Sequence, residues 1–156
     1  VPGSETMNRV LATALAVLLL ALVVPSTAPA AAATAEQRYS NAAFSSTNAQ
    51  REQRDRAELR KNRCLTRFAV KQAKRMARQR EIFHQDLGPI LRRCGLSMVG
   101  ENVAVGYTTG RSVVREGWMK SEGHRANILQ PRYRLMGIGA RKAGGSWYVA
   151  QVFGRK

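Results

Sequence analysis

The sequence predicts an α+β protein, a three-layer α/β/α sandwich built on a small antiparallel sheet, and three observations lead there. Residues 46–80 are rich in charged residues, Ala, Leu and Gln and contain no Gly or Pro, a helix-favouring composition. Residues 133–141 and 146–153 read as strands joined by a turn at Ala143-Gly144-Gly145. In the second of these strands Trp147, Val149, Gln151 and Phe153 face one way and Tyr148, Ala150 and Val152 the other. Both faces are largely apolar, so helices must cover both.

At the N-terminus, Met7-Asn8-Arg9 opens a short basic region and residues 10–24 form an apolar run interrupted only by Thr13. Ala28-Pro29-Ala30 offers a small-x-small cleavage site, so residues 1–30 read as a secretory signal peptide and upstream residues, and the protein as exported to the cell envelope or beyond. The run is shorter than the ~18 apolar residues of a spanning helix and is closed by Pro25. Residues 31–45, rich in Ala, Ser, Thr and Asn, read as a flexible leader, which leaves 46–156 as one domain.

Within 46–80 two helices are expected. In the second, Leu65, Phe68, Ala69, Gln72, Ala73 and Met76 recur at spacings of three and four, one buried stripe with Arg67, Lys71, Lys74, Arg75 and Arg78 spread elsewhere. Gly88-Pro89 and Gly95 mark turns. Cys64 and Cys94 are the whole cysteine inventory, and an even count in an exported chain predicts one disulfide. Residues 112–121 read as a third helix capped by Thr109 or Ser112, with Val114, Trp118 and Ser121 on one face. Gly123 is expected to reverse the chain before a short helical turn over 124–129, which Pro131 stops.

The densest chemistry lies in Gly100-Glu101-Asn102-Val103-Ala104 and in Trp118-Met119-Lys120-Ser121-Glu122-Gly123-His124-Arg125-Ala126-Asn127-Ile128-Leu129, followed by Met136-Gly137-Ile138-Gly139 and the closing strand 147–154. The chain has only two histidines, His84 and His124. In these blocks, and in their order, the chain resembles the CAP superfamily, or SCP domain, of cysteine-rich secretory, antigen 5 and pathogenesis-related proteins, and its short bacterial branch above all. The resemblance runs from about residue 46 to the C-terminus and implies the same α/β/α sandwich. It also implies a cleft with two histidines and two acidic residues, the imidazoles able to hold a divalent cation. Carried over, His84 takes the place of the first histidine, Glu101 of the first acid and His124 of the second histidine. The second acid's place is Ser121, as bacterial relatives commonly have it, and Glu122, about 100° further round the helix, does not substitute.

These residues support three readings. Two imidazoles beside a carboxylate suit a cation such as zinc with a water ligand, whose chemistry in an enzyme would be metal-dependent peptide hydrolysis with Glu101 and His124 as catalytic groups. Ser121 as nucleophile with His124 as base is a weaker arrangement, because no Gly-x-Ser-x-Gly elbow accompanies it. The family resemblance itself points to binding of a small-molecule or lipid ligand by a monomer and shares no single chemistry across members, so a non-enzymatic role is expected before a hydrolase. The third reading rests on charge. The chain carries +16, unchanged when residues 1–30 are removed (25 basic minus 9 acidic residues), and residues 51–93 hold 14 basic against 5 acidic residues. Such a field attracts anionic cell-envelope polymers. Nucleic acid is disfavoured, since no aromatic-rich nucleic-acid motif accompanies the charge.

Overall fold

The computed structural model describes residues 32–156. The signal-peptide reading and the Met7 start lie outside the described residues. Helix α1 (Ala35–Glu52) leads into a loop and the short strand β1 (Arg60–Lys61), then α2 (Arg63–Gln79) and α3 (Gly88–Arg93). Strand β2 (Met98–Val105) follows. The helical segment α4 (Gly110–Ser112) continues through a π-helical turn, Val113–Gly117, and a 3-10 turn, Trp118–Lys120. After α5 (Glu122–Leu129), β3 (Leu135–Ala143) and β4 (Ser146–Arg155) close the domain.

From Ala35 onward the leader expected over 31–45 is instead the start of α1 (Ala35–Glu52). Thr34 accepts a hydrogen bond from Gln37 N, and the Gln37 side chain accepts one from Thr34 N, a reciprocal cap that starts the helix. Alanine, read above as a mark of flexibility, is also the best helix former. Tyr39, Ala43, Thr47 and Arg51 recur every fourth position and are all buried. The fold therefore begins about ten residues earlier than the composition suggests.

The sheet has the order β1-β3-β4-β2 and is mixed, not purely antiparallel. Strands β2, β4 and β3 are antiparallel neighbours, but β1 runs parallel to β3 through Arg60↔Leu135 and Lys61↔Met136. Strand β2 lacks a sustained apolar alternation because Gly100-Glu101-Asn102 breaks it, which is why only two strands are expected from pattern. The β4 alternation predicts the layers correctly. Val149 and Phe153 join Tyr39, Ala43, Val113 and Trp118 in one core. Tyr148, Ala150 and Val152 join Leu65, Ala69 and Met76 in the other.

Helix α2 lies directly on β3. A Cβ on Gly137 or Gly139 would come within 2.2 Å of Thr66 N or 2.3 Å of Val70 N, so only glycine lets the two backbones approach. The expected disulfide is present: Cys64 in the first turn of α2 is bonded to Cys94 at the end of α3. The chain reversal expected at Gly123 falls at Ser121, whose backbone is extended (φ −101°, ψ 126°), and Gly123 sits inside the first turn of α5. The cause is the π and 3-10 turns before it, which unwind the preceding helix and meet at Gly117, where a Cβ would come within 2.6 Å of the Tyr107 ring.

Candidate functional site

Strand β2 positions the site. Adjacent residues of a strand point to opposite faces, so Glu101 joins Val103 on the α2 and α3 side while Asn102 joins Ala104 on the α1 side. The Glu101 side chain is only 1 % exposed. It is met by the segment between α2 and α3, which leaves α2 at Arg80 in a left-handed conformation (φ 55°). That segment is held by Gln72 Nε2, which donates to Phe83 O, and by the Arg75 guanidinium over the Phe83 ring at 5.2 Å.

The segment delivers His84. Its Nδ1 lies 2.8 Å from Glu101 Oε1. Gln85 donates twice to the same carboxylate, from its backbone N to Oε1 at 3.2 Å and from Nε2 to Oε2 at 2.5 Å. An ionised carboxylate only accepts, so the proton of a neutral His84 sits on Nδ1 and its Nε2 keeps a free lone pair. The His84 side chain is 59 % exposed, which makes the cleft open and shallow at this point.

His124 belongs to the first turn of α5. Asn102 Nδ2 donates to the His124 carbonyl at 3.1 Å and thereby ties α5 to β2. Partial burial, and secondarily the nearby His84, lower the His124 pKa below its ordinary value, so the ring is neutral at pH 7. The two imidazoles are thus close enough for the charge of one to bear on the other.

Behind the cleft, Asn102 organises a buried polar chain. Its Nδ2 also donates to Gln151 Oε1 at 3.1 Å, and its Oδ1 accepts from Asn127 Nδ2 at 2.9 Å. Gln151 Nε2 donates in turn to Thr47 Oγ1 at 2.8 Å, linking β4 to α1. Asn127 Nδ2 further donates to Glu101 O at 3.2 Å, and Trp118 Nε1 donates to Val103 O at 3.1 Å. Pairing of β2 with β4 uses the alternate residues, so these two carbonyls belong to the outer edge of β2 and are satisfied by side chains.

Of the residues singled out from sequence, His84 and Glu101 are in direct contact and His124 stands beside them. Ser121 is not joined to His124 by a hydrogen bond: its hydroxyl makes no capping bond, and its backbone carries the turn into α5. Sequence reasoning missed Gln85, Asn127, Gln151 and Thr47 as partners. Gln151 alone left a signal, as the one polar residue on an otherwise apolar strand face.

The donor set decides what cation the cleft can fit. Both Glu101 oxygens accept hydrogen bonds from His84 and Gln85, an arrangement that orients the His84 ring. Among the described residues no three His, Cys, Asp or Glu side chains are grouped to hold a metal ion. The three-ligand zinc arrangement therefore does not fit. The residues left that could hold a cation are the two imidazoles, through His84 Nε2 and the His124 ring, and water would have to supply the rest of its coordination.

Residues 44–153 match the profile of the cysteine-rich secretory protein family, CAP. The chain is 32 % identical over 108 residues to the uncharacterized protein YkwD of Bacillus subtilis (strain 168), an alignment covering 65 % of this chain and 42 % of that protein. The match thus spans less than half of that relative's length. Among solved structures it is similar to an extracellular protein containing an SCP domain from Bacillus anthracis (TM-score 0.70, 26 % identity, covering 78 % of this chain and 41 % of the other). It also shares its fold with a cysteine-rich secretory protein from Staphylococcus aureus (TM-score 0.68, 21 % identity, covering 78 % and 40 %). Among the described residues no helix is long and apolar enough to cross a membrane.

Proposed function

The chain belongs to the cysteine-rich secretory protein (CAP) family, and from that premise we propose that it works outside the cell and binds a divalent cation such as zinc in the cleft formed by His84, Glu101 and His124. The observation that carries this is the 2.8 Å contact from His84 Nδ1 to a buried carboxylate that Gln85 also holds, which leaves Nε2 as the free nitrogen of an exposed ring. A carboxylate behind an imidazole is the usual outer support of a metal-binding histidine. The depressed pKa of His124 keeps the second donor neutral and available. Export is supported by the signal-like pattern of residues 7–30 and by the extracellular description of the similar Bacillus anthracis protein.

Bound there, a cation would supply Lewis acidity. The residues themselves supply orientation: Glu101 fixes the His84 ring, and Asn102 fixes the start of α5. A metal-dependent hydrolase would in addition turn over peptides in a chelator-sensitive way. Ser121 and His124 are not hydrogen-bonded to one another, which disfavours the serine-nucleophile arrangement.

Calorimetric titration of the full chain with zinc at neutral pH tests it. One ion per chain is expected, with affinity falling steeply in His84→Ala and His124→Ala and by ~10-fold to 100-fold in Glu101→Gln. Absence of heat at neutral pH, or affinity unchanged from the wild type in either histidine variant, overturns the proposal.

A second reading has its own observation. Arg63, Arg67 and Lys71 on α2 and Arg93 on α3 are all exposed around the disulfide, with no acidic residue on that helix. We propose this face for anionic envelope polymers. Binding to an anionic matrix should weaken steeply with salt and be indifferent to His84→Ala.

A further inference from the structure

Strand β3 runs to Ala143, but its outer neighbour β1 pairs only with Leu135 and Met136. The two-residue turn at Gly144 and Gly145, with φ of 55° and 81°, makes Ala143 and Ser146 its closing hydrogen-bonded pair. Hydrogen-bonded and non-bonded pairs then alternate, so the N–H and C=O of Ile138, Ala140 and Lys142 point away from β4. Asn62 N, which donates to Met136 O at 2.9 Å, confirms that parity. Beyond Met136, no backbone group among the described residues bonds to this outer edge.

The edge lies on the floor of a groove of about 440 Å³ between α1 and α2, bordered by Gln37, Asn41, Lys61, Val70 and Lys74. A second groove of about 500 Å³, sharing Lys74 and Arg141, continues it past Arg78, Arg80 and Lys142. The two together carry Lys61, Lys74, Arg78, Arg80, Arg141 and Lys142 against a single acid, Glu36, itself 3.4 Å from Arg141.

We propose that this trough is a second binding site, which takes an extended acidic peptide as an added strand on the open edge of β3. Backbone pairing to Ile138, Ala140 and Lys142 supplies affinity, and the surrounding cations select the guest. Basic residues on an edge strand keep two copies of a chain from pairing edge to edge. The same charges attract a strand of opposite sign. The site is separate from the histidine cleft, since β3 and β2 are opposite ends of the antiparallel part of the sheet.

The probe is an acetylated, amidated peptide of about five residues alternating Glu and Val, with two controls: Lys in place of Glu, and N-methylation at alternate residues. With the full chain at low salt, the acidic peptide should bind and slow amide exchange at Ile138, Ala140 and Lys142. Both control peptides, and the Lys74→Glu variant with the acidic peptide, should bind at least ~10-fold more weakly. Ala140→Pro removes one outward N–H without touching the β4 ladder and should also abolish binding. Should that variant fail to fold, Lys74→Glu and the N-methylated peptide decide. Equal binding of the N-methylated peptide would mean that charge alone acts, as for any polyanion, and would overturn the proposal. Equal binding of the Lys peptide, edge-to-edge dimers in sedimentation, or no binding of the acidic peptide would overturn it as well.

Discussion

The two edges of the sheet are treated in opposite ways. At β2 the outward carbonyls of Glu101 and Val103 are met by Asn127 Nδ2 and Trp118 Nε1, both from the segment that follows β2. At β3 the outward backbone groups of Ile138, Ala140 and Lys142 have no hydrogen-bond partner among the described residues; Ile138 and Ala140 are only 4 % and 6 % exposed, and the groove that reaches them is bordered by basic side chains. The sealed edge carries the histidine cleft, which needs side chains held in fixed positions. The open edge offers backbone, which needs only to stay accessible. Much of the recognisable block from Gly100 to Leu129 therefore serves to close an edge, and few of its residues are left for chemistry.

Removing the seal should cost most. Trp118 is 1 % exposed, packs in the core of the α1 face and carries the bond to Val103 O. Trp118→Ala should lower stability by about 4 kcal/mol in denaturant unfolding. Trp118→Phe keeps most of the apolar contact but leaves the Val103 carbonyl without its donor, and should cost about 1 to 2 kcal/mol. Near-equal effects of the two variants would mean that the hydrogen bond, not the packing, holds this edge.

Asn102→Ala comes next, at about 2 to 3 kcal/mol, because it strands Gln151 Oε1 and one donor of Asn127 inside the protein. It should also weaken zinc binding, since the carbonyl of His124 loses its tie to β2. A variant that loses stability but keeps full zinc affinity would show that α5 stays in place without Asn102. The sealed edge would then be irrelevant to the cleft.

This division also explains what could be read before any coordinates. The two cores were legible in β4, because alternation over 147–153 assigns each side chain to a face without knowledge of its partners. The α2 stripe was legible for the same reason: Leu65, Ala69, Gln72, Ala73 and Met76 are buried as their spacing predicts. Strand β2 was not, since Glu101 and Asn102 break the apolar pattern, and each is satisfied only by groups distant in sequence. His84 and Glu101 are 17 positions apart and Asn102 and Gln151 are 49 apart, separations over which no local rule operates. The start of α1 was legible in principle. Thr34 and Gln37 form the Thr-x-x-Gln cap, but the Ala-rich composition around them draws attention to flexibility instead.

The smallest expected effect is a titration, and it sharpens the contrast because both histidines belong to the sealed side. The His124 pKa is lowered in the folded protein by burial and then by His84, whereas the unfolded chain has the ordinary value near 6.5. As pH falls below about 6.5 the unfolded chain takes up this proton before the folded one does, so folding loses stability until the folded pKa is passed. Above that window His124 is neutral in both states and adds no slope. Denaturation at steps from pH 7 to about pH 5, before most carboxylates titrate, should reveal the decline. His124→Gln should remove its share of it. An unchanged slope in that variant would mean that His124 is solvated like a surface residue, and burial would then play no part in keeping the second donor neutral.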